Sequence, residues 1–554
     1  MLVGATAYAE TYKGAVKKPA KKAELERCRR GQGSAELSIN NVRARINTSG
    51  NMWYDGSTAR YFVPKDGNST AMFCAALWIG GQDANLQLRV AALKFGQAGD
   101  DFWPGPLTVD ANASVDKAVC EQWDKHFKIT KAEVEYFVDG FEYQGGTFVG
   151  VDASRATEAI KTWPAHGDVS KNQSKFMAPF FDRNGDGVYS WEDGDYPYYD
   201  LSGELCPAKQ KEQWAELGLP FIPTPTMESD TTNPNYGTGG VVKAYGGLLV
   251  DQVLKGDETI WWVFNDKGNA HTESGSENPI GLEIRAQAFA FAMNDEINNM
   301  TFYSYEIINR STFTLTNTYF SQWVDPDLGY AHDDYVGCDV ERGLGYCYNG
   351  KATDGPGTGS YSGNPPAIGI DFFQGPYMDP DGRDNPKVDN IKVADIYGEA
   401  ALDPYRNEDG TVNHVLLTED AHKFKDCWYP KSRDSIDACA INGVNFGNGI
   451  VDDERFGMRR FVYYNNDGSN NGEPDKATDY YNYLRGIWKD GSKMYYGGNG
   501  YNSGTGLDKS INADFMFPGN SDIWGWGTRT GGNEDHGKNN VWTEQTAGNA
   551  AADR

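Results

Sequence analysis

The strongest constraint on the fold is a period-two alternation of apolar and polar residues in the middle of the chain. The segment IGLEIRAQAFAFAM (280–293) alternates clearly, and MTFYSYEIINRS (300–311) and TFTLTNTYFSQW (312–323) follow it. Successive side chains of a β-strand point to opposite faces, so the pattern predicts strands with one face in a core. Short polar turns such as NDEINN join these segments and predict an antiparallel meander over about residues 256–324.

A second alternating segment lies nearer the N-terminus. LQLRVAAL (86–93) follows AALWI (75–79), and the intervening GGQDAN is rich in turn-forming residues, so the two predict a hairpin. The face predicted to point inward is formed by Leu86, Leu88, Val90 and Ala92. We therefore expect a mainly β protein, an antiparallel β-sandwich-like assembly with long Gly/Asn/Asp-rich loops.

Helical signals are few. KAEVEYFVDGF (131–141) and PAKQKEQWAEL (207–217) each predict a short helix, but neither alternates with strands as an α/β fold requires. Long loops are predicted at 353–366, 465–475 and 496–506, where Gly and Asn are concentrated.

We divide the chain by these patterns into four parts. Residues 1–9 resemble the end of a signal peptide, because Ala7-Tyr8-Ala9 has the small-x-small pattern of a cleavage site. Residues 10–35 are polar and basic and predict a tether. Residues 36–340 form the predicted β domain with the central meander, and 341–554 a loop-rich β region that continues the fold. The implied location is extracellular or on the outer cell surface.

The charge of the chain limits its partners. Asp and Glu number 78 against 51 Lys and Arg, which gives a net charge of -27. Such a surface repels phosphate backbones, so nucleic acid is not an expected partner. No run reaches the roughly 18 apolar residues of a membrane span, so no transmembrane segment is expected.

The cysteine pattern suggests disulfides rather than zinc. The chain has 8 cysteines without a C-x-x-C pair. Cys338 with Cys347 and Cys427 with Cys439 are close in sequence, and an oxidising compartment would favour either bond. We predict a bond between Cys427 and Cys439; free buried thiols are the alternative.

The segment DRNGDGVYSWED (182–193) follows the pattern of an EF-hand-type calcium loop, with a glycine at the sharp turn. The predicted calcium ligands are Asp182, Asn184, Asp186, Val188 through its carbonyl, Ser190 and Asp193. An Asp at the last position is shorter than the usual Glu, which predicts weaker binding. The alternative is an acidic turn with no ion. Because the flanking FF and YPYY favour strands, we expect a structural clamp and not a sensor.

A second acidic segment follows the predicted meander. WVDPDLGYAHDDYVGCD (323–339) carries Asp325, Asp327, Asp333 and Asp334 just beyond a strand end. These carboxylates suggest either a second cation site or side chains that cap turns. Their spacing matches no fixed loop pattern.

Several motifs together resemble one known family. They are INNVRARI (39–46), ALWIGG (76–81), DFWPGPL (101–107), WWVFND (261–266), NDEINNMTFY (294–303), WVDPDLG (323–329), DDYVGCD (333–339), NPPAIGIDFFQGP (364–376) and GMRRFVYYNN (457–466). From about residue 36 onward, the chain is similar to the N-terminal region of large surface proteins exported by the type IX secretion system.

The resemblance implies a location and an architecture more than an activity. It implies export across the outer membrane by the type IX machinery, often with further β-sandwich modules and a C-terminal sorting domain. The chain stops at AGNAAADR without a visible sorting domain, so we expect a fragment or a processed portion.

Signatures of catalysis are weak, and we predict no enzyme activity. The 7 histidines form no H-E-x-x-H motif, and no G-x-S-x-G occurs beside them. A glycosidase needs only two carboxylates about 5 to 9.5 Å apart. Such a pair is available among Glu192, Asp193, Asp195, Asp325, Asp327, Asp333 and Asp334.

Two hypotheses of function remain. The first is a calcium-stabilised structural or adhesive surface protein whose partners are surface glycans or other surface proteins. The second is a carbohydrate-binding or carbohydrate-active module with Tyr and Trp as stacking platforms. Aromatics buried between sheets favour the first; exposed aromatics around one concave acidic cleft favour the second.

Overall fold

The computed structural model describes residues 27–199, 253–380, 382–388, 390–424, 437–502, 504–522 and 541–552, together with 243–244, 247–248 and 427. In chain order the strands are β1 (Ser34–Leu37), β2 (Arg43–Asn47), β3 (Asn51–Met52), β4 (Tyr61–Phe62), β5 (Thr70–Met72), β6 (Cys74–Gln82), β7 (Leu88–Ala91), β8 (Trp103–Pro104), β9 (Phe127–Thr130), β10 (Phe141–Gln144), β11 (Thr147–Val151), β12 (Phe180–Phe181), β13 (Tyr196–Pro197), β14 (Lys243–Ala244), β15 (Gly247–Leu248), β16 (Glu258–Asn265), β17 (Leu282–Ala290), β18 (Phe302–Asn309), β19 (Thr316–Asp325), β20 (Asp334–Asp339), β21 (Leu344–Asn349), β22 (Ala367–Asp371), β23 (Tyr495–Gly497) and β24 (Leu507–Asn512).

Helices are short and few in these ranges. They are α1 (Lys117–Trp123), α2 (Lys131–Val138), α3 (Glu158–Lys161), α4 (Asn390–Tyr397), α5 (His414–Glu419), α6 (Asp437–Asn442) and α7 (Ala477–Leu484). The predicted helix over 131–141 is confirmed as α2, which begins with a reciprocal capping box between Thr130 and Glu133. The helix predicted over 207–217 lies outside the described residues. No helix of the described part is both long and apolar enough to cross a membrane.

Two antiparallel sheets share the main core, which confirms the mainly β fold. The eight-stranded sheet has the order β19-β6-β3-β2-β4-β5, with β1 beside β2 and β7 beside β6. The five-stranded sheet has the order β18-β17-β16-β8, with β9 also on β16. Ile46 and Ile79 from the first sheet and Ile260 and Ile284 from the second belong to one buried cluster.

The central strand β16 is buried on both faces. Trp262 and Phe264 point into the main core, whereas Trp261 belongs to a second core with Trp123 of α1 and Phe137 of α2. A strand covered on both sides reads as a continuous apolar run. This explains the sequence TIWWVF in this strand.

The polar side of β17 is also covered. Glu283 is fully buried and lies 2.9 Å from Arg285 and 3.0 Å from Arg310, and its other oxygen accepts a hydrogen bond from the Leu107 N–H. Burial alone would raise the pKa of Glu283, but the two guanidinium groups hold it below its usual value. The alternation in the sequence therefore marks an apolar core on one face and a buried ion cluster on the other.

The predicted meander is only partly correct. β16, β17 and β18 form it as expected, with Ile284 opposite both Phe264 and Ile307. The next strand, β19, leaves this sheet and pairs with β6, where Trp323 lies opposite Ala76. Alternation predicts a strand but carries no information on which sheet receives it, so the chain crosses from one sheet to the other after β18.

The predicted hairpin between β6 and β7 is confirmed, with Ile79 opposite Ala91. Asp83 closes its turn by accepting hydrogen bonds from the backbone N–H groups of Asn85 and Gln87. Leu86 does not join the inward face. It lies in this turn with a positive φ of 61° and a side chain that is 71% exposed.

A buried histidine links the two sheets. His271 Nδ1 lies 2.7 Å from the carbonyl oxygen of Val90 in β7, and Nε2 lies 2.6 Å from that of Asp266, which follows β16. Carbonyl oxygens only accept hydrogen bonds, so both ring nitrogens must donate, and this requires a protonated imidazolium. The carboxylates of Asp101 and Asp266, at 3.6 Å and 3.7 Å, supply the opposite charges.

The two carboxylates also fix the loops around them. Asp101 accepts hydrogen bonds from the N–H groups of Ala92, Glu273 and Ser274. Asp266 accepts hydrogen bonds from the N–H groups at 280, 281 and 282, which set the start of β17. The cluster Asp101–His271–Asp266 thus joins both sheets to the loop between β16 and β17.

We expect His271→Asn to lower the free energy of unfolding by about 3–5 kcal/mol, because two carboxylates then stay buried without their cation. Denaturant unfolding measures the change. The exposed His332→Asn is the matched control and should change stability by less than about 0.5 kcal/mol. An equal, small effect of both substitutions would contradict the role of His271.

A disulfide between Cys28 and Cys120 ties the N-terminal end of the described chain to α1 across 92 residues. The sequence did not indicate this pair, because its members are far apart along the chain. The bond shows that part of the segment 10–35, from residue 27 onward, is joined to the β domain.

The other cysteine predictions have different outcomes. Cys338 is a buried thiol whose Sγ lies 3.3 Å from the Met516 carbonyl oxygen. On the paired strands β20 and β21 it lies opposite Gly345, and Cys347 lies opposite Val336, so a Cys338–Cys347 bond does not form. The side chain of Cys439 lies outside the described residues, so its bond to Cys427 stays a prediction.

Candidate functional site

The calcium-type loop connects two short paired strands, as the flanking residues predicted. β12 and β13 pair through Phe180 opposite Pro197 and Phe181 opposite Tyr196. Phe180 is fully buried in the second core, and the Phe181 and Tyr196 rings stack with centroids 4.9 Å apart. The loop is therefore anchored on both sides by packed aromatic residues.

The first half of the loop is a tight turn built from its own side-chain oxygens. The two carboxylate oxygens of Asp182 accept hydrogen bonds of 2.7 Å from the N–H groups of Gly185 and Gly187. Asn184 Oδ1 accepts a hydrogen bond of 2.9 Å from the Asp186 N–H, and Asp186 Oδ1 accepts one of 2.7 Å from the Val188 N–H. Gly185 and Gly187 have φ of 75° and 70°, a conformation that favours glycine. Positions 1, 3 and 5 thus come together.

The second half of the loop contains the other three predicted ligands, Val188, Ser190 and Asp193. The side chain of Val188 is 52% exposed. Ser190 Oγ accepts a hydrogen bond of 3.3 Å from the Asp193 N–H and caps the short turn Trp191–Asp193. Asp193 itself is exposed. Ser190 and Asp193 are therefore engaged with each other at the loop end.

Asp195, which was not among the predicted calcium ligands, closes the loop. It is fully buried, and its two oxygens accept hydrogen bonds of 2.8 Å from the Arg183 N–H and 2.9 Å from the Ser190 N–H. Burial raises the pKa of Asp195 to about 6; these hydrogen bonds oppose the shift, and the charges of Asp182 and Asp186 add to it. In the sequence, the one sign of this role is the position of Asp195 just before a predicted strand, two residues beyond the loop pattern.

His166 holds the centre of the loop from outside. Its Nε2 accepts a hydrogen bond of 2.7 Å from the Tyr189 N–H, while Nδ1 donates to the Lys175 carbonyl oxygen at 2.7 Å. Burial lowers the pKa of His166, which favours the neutral ring that this pattern requires.

Over the described residues, no group of three or more His, Cys, Asp or Glu side chains is arranged to hold a metal ion. The donor set of an EF-hand-type loop is wider, because it includes amide, backbone carbonyl and water oxygens. Asn184, Val188 and Ser190 belong to that wider set. The calcium assignment therefore depends on the loop geometry and on binding experiments.

The second acidic segment is divided between two places. Asp325 ends β19 opposite Cys74 and borders the cavity described below. Asp333 and Asp334 are fully buried beyond the strand, and Asp334 Oδ2 accepts a hydrogen bond of 2.9 Å from the Leu328 N–H. Asp334 therefore caps the turn that follows the strand, which is the alternative role.

Several other carboxylates lie near Asp334. Burial raises the pKa of Asp334 to about 8; its hydrogen bond from the Leu328 N–H opposes the shift, and the charges of Asp333, Asp327 and Asp354 add to it. Asp354 was not among the predicted residues. It comes from the loop after β21 and accepts hydrogen bonds from the N–H groups of Tyr330 and Tyr361.

We expect Asp334 to make stability depend on pH. Its pKa is about 8 in the folded protein and about 4 in the unfolded chain, so the folded state holds an extra proton between these values. The free energy of unfolding should therefore fall as pH rises from about 4 through 8. Asp334→Asn should remove roughly 1–3 kcal/mol of that fall. Denaturant unfolding from pH 5 to 8.5 measures it.

The exposed Asp66→Asn is the control and should keep the pH dependence of the parent protein. The difference between the two variants isolates Asp334 from other titrating groups. Parallel pH curves for the parent and Asp334→Asn would show that Asp334 is ionised throughout.

A large cavity of about 2020 Å³ opens between the edges of the two sheets. The edge strands β18 and β19 line it along most of their lengths, and parts of β21, β22 and the segment 455–464 form the opposite wall. Half-buried aromatic rings line both walls: Tyr303, Tyr305, Tyr319, Phe320, Tyr346, Tyr361, Phe461 and Tyr463. Its carboxylates include Glu306, Asp325 and Glu473. This is a concave, aromatic and partly acidic surface.

The sequence did not point to this cavity, because its lining comes from separate segments that the fold brings together. Of the carboxylates considered for glycoside hydrolysis, Asp325 borders it, whereas the loop 182–193 does not contribute. Most tryptophans of the described part, among them Trp78, Trp261 and Trp488, are buried in the cores.

No protein-family model matches this chain, and neither the curated proteins nor the solved structures contain a match. The resemblance to surface proteins of the type IX secretion system therefore depends on the sequence motifs alone.

Proposed function

We propose that this chain is a secreted or cell-surface structural or adhesive protein, exported by type IX secretion and stabilised by calcium. The observation that carries the proposal is the turn at Asp182, Asn184 and Asp186, whose side-chain oxygens are brought together and fixed by hydrogen bonds from the backbone of the loop. Preorganised oxygen ligands lower the cost of binding a hard cation. Enzyme activity is not part of the proposal.

Two features of the folded chain support an extracellular location. The Cys28–Cys120 disulfide is typical of oxidising compartments. The net charge of -27 is compatible with a surface that faces a cation-rich medium. Export by the type IX machinery is supported by the motif resemblance.

The calcium clamp predicts a ligand-dependent stability. At free calcium a hundredfold above its dissociation constant, the free energy of unfolding should rise by about 2.7 kcal/mol over the value in chelator. The double variant Asp182→Asn/Asp186→Asn should lose this response, because it removes both charges, while the amide introduced at position 182 keeps one of the two oxygens that accept hydrogen bonds from Gly185 and Gly187. Thermal unfolding in calcium and in chelator measures the effect.

Asp168→Asn is the matched control. Asp168 also accepts a hydrogen bond from a backbone N–H two residues later, at 3.0 Å, but lies outside the loop. This variant should respond to calcium like the parent. A parent protein whose unfolding is the same in calcium and chelator would refute the clamp.

The second candidate function is carbohydrate binding, and the aromatic cavity specifically favours it. Aromatic rings with acidic and amide groups around a concave surface suit the stacking and hydrogen bonding of sugars. We expect the purified protein to bind a subset of the immobilised glycans on a glycan array. Binding should be independent of calcium if the cavity binds the sugar, since the loop 182–193 lies elsewhere. An array without any bound glycan would contradict this candidate.

A further inference from the structure

The cavity wall contains an arginine, Arg459, whose charge has no acidic partner among the residues that the structure describes. Arg459 lies in the segment 455–464 that lines the cavity. Its Nε is buried and makes no hydrogen bond, and no carboxylate of the described residues lies within 4.0 Å of its guanidinium. A buried guanidinium nitrogen without an acceptor is costly, so such a group normally has a protein or ligand partner.

The two other arginines of this segment, Arg455 and Arg460, have partners within the fold. Arg455 stacks on the Tyr377 ring at 4.0 Å and donates to its hydroxyl at 2.8 Å. Arg460 lies 3.4 Å from the Asp514 carboxylate. Both are used within the fold, whereas Arg459 has no acidic partner among the described residues.

The backbone at Arg459 is rigidly placed. Met458 belongs to a buried cluster with Cys338 and Phe515, and its carbonyl oxygen accepts a hydrogen bond of 2.8 Å from Asn442. Phe461 donates its N–H to the Asp514 carbonyl oxygen at 3.2 Å. Anchors on both sides fix the origin of the Arg459 side chain at the wall.

We propose that the cavity binds an acidic oligosaccharide and that Arg459 pairs with its carboxylate. Guanidinium recognises carboxylate through two parallel hydrogen bonds. Around it, half-buried rings offer faces for the sugar units, and six of the eight rings named above are tyrosines: Tyr303, Tyr305, Tyr319, Tyr346, Tyr361 and Tyr463. This inference rests on the carbohydrate-binding candidate and narrows it to one class of sugar.

A glycan fits the lining better than a lipid. Tyrosine rings combine apolar faces with a polar tip, and the edge strands β18 and β19 add backbone polar groups that a hydrocarbon would leave without partners. An extended peptide is the other occupant that an open strand edge accepts. It would bind through its backbone and would give Arg459 no specific role.

The test compares ligands and variants by fluorescence binding to the intact chain. The probes are a labelled oligogalacturonate, the neutral galacto-oligosaccharide of equal length, and a poly-glutamate peptide. We expect the acidic sugar to bind at least about tenfold more tightly than the neutral one. Arg459→Gln should weaken acidic-sugar binding roughly tenfold to a hundredfold and leave the neutral sugar unchanged.

Two controls separate charge, geometry and folding. Arg459→Lys keeps the charge without the paired donors and should give an intermediate loss. Arg342→Gln removes an exposed arginine that pairs with Asp339 outside the cavity and should leave binding unchanged. Unchanged thermal unfolding of Arg459→Gln would show that its binding defect is not a loss of folding.

Each other outcome contradicts the inference in a distinct way. Equal binding of neutral and acidic sugars, insensitive to Arg459→Gln, would overturn the acidic preference and leave the carbohydrate-binding candidate standing. If neither sugar binds, both the acidic-sugar inference and the carbohydrate-binding candidate are overturned. Binding of the peptide without the sugars would identify a protein ligand and overturn the assignment.

Discussion

The buried cluster of Asp101, His271 and Asp266 is the interaction on which the architecture depends. Its imidazolium donates one hydrogen bond to each of two sheets, and its carboxylates fix the backbone of the loops between them. A charged group inside a core stabilises one arrangement of its neighbours, because any other arrangement leaves a charge without a partner. The two sheets therefore meet in a defined relation.

The same rule explains which charges are structural and which are available. Glu283 is balanced by Arg285 and Arg310, and its pKa stays low. In contrast, the aspartates of the loop 182–193 and the Arg459 guanidinium are not balanced by opposite charges of the described chain. These are the places where the proposed ion and the proposed charged ligand would supply an opposite charge.

The sequence predicted local structure better than assembly. Alternation located β16, β17 and β18, and the segment KAEVEYFVDGF was correctly predicted as a short helix, because these signals act between near neighbours. The transfer of β19 to the other sheet was missed, since both sheets accept the same pattern. Asp195 was missed because its role is set by the backbone groups it meets in the folded loop. The cavity was missed because separate segments form it.

The most direct test of the central claim, that the loop 182–193 binds calcium as a structural ion, is terbium luminescence. Tb³⁺ occupies oxygen-rich calcium sites, and Tyr189 and Trp191 within the loop are positioned to sensitise its emission. We expect sensitised emission that calcium displaces at one site and that Asp182→Asn/Asp186→Asn abolishes. Emission that is absent from the parent, or that persists unchanged in the double variant, would contradict it.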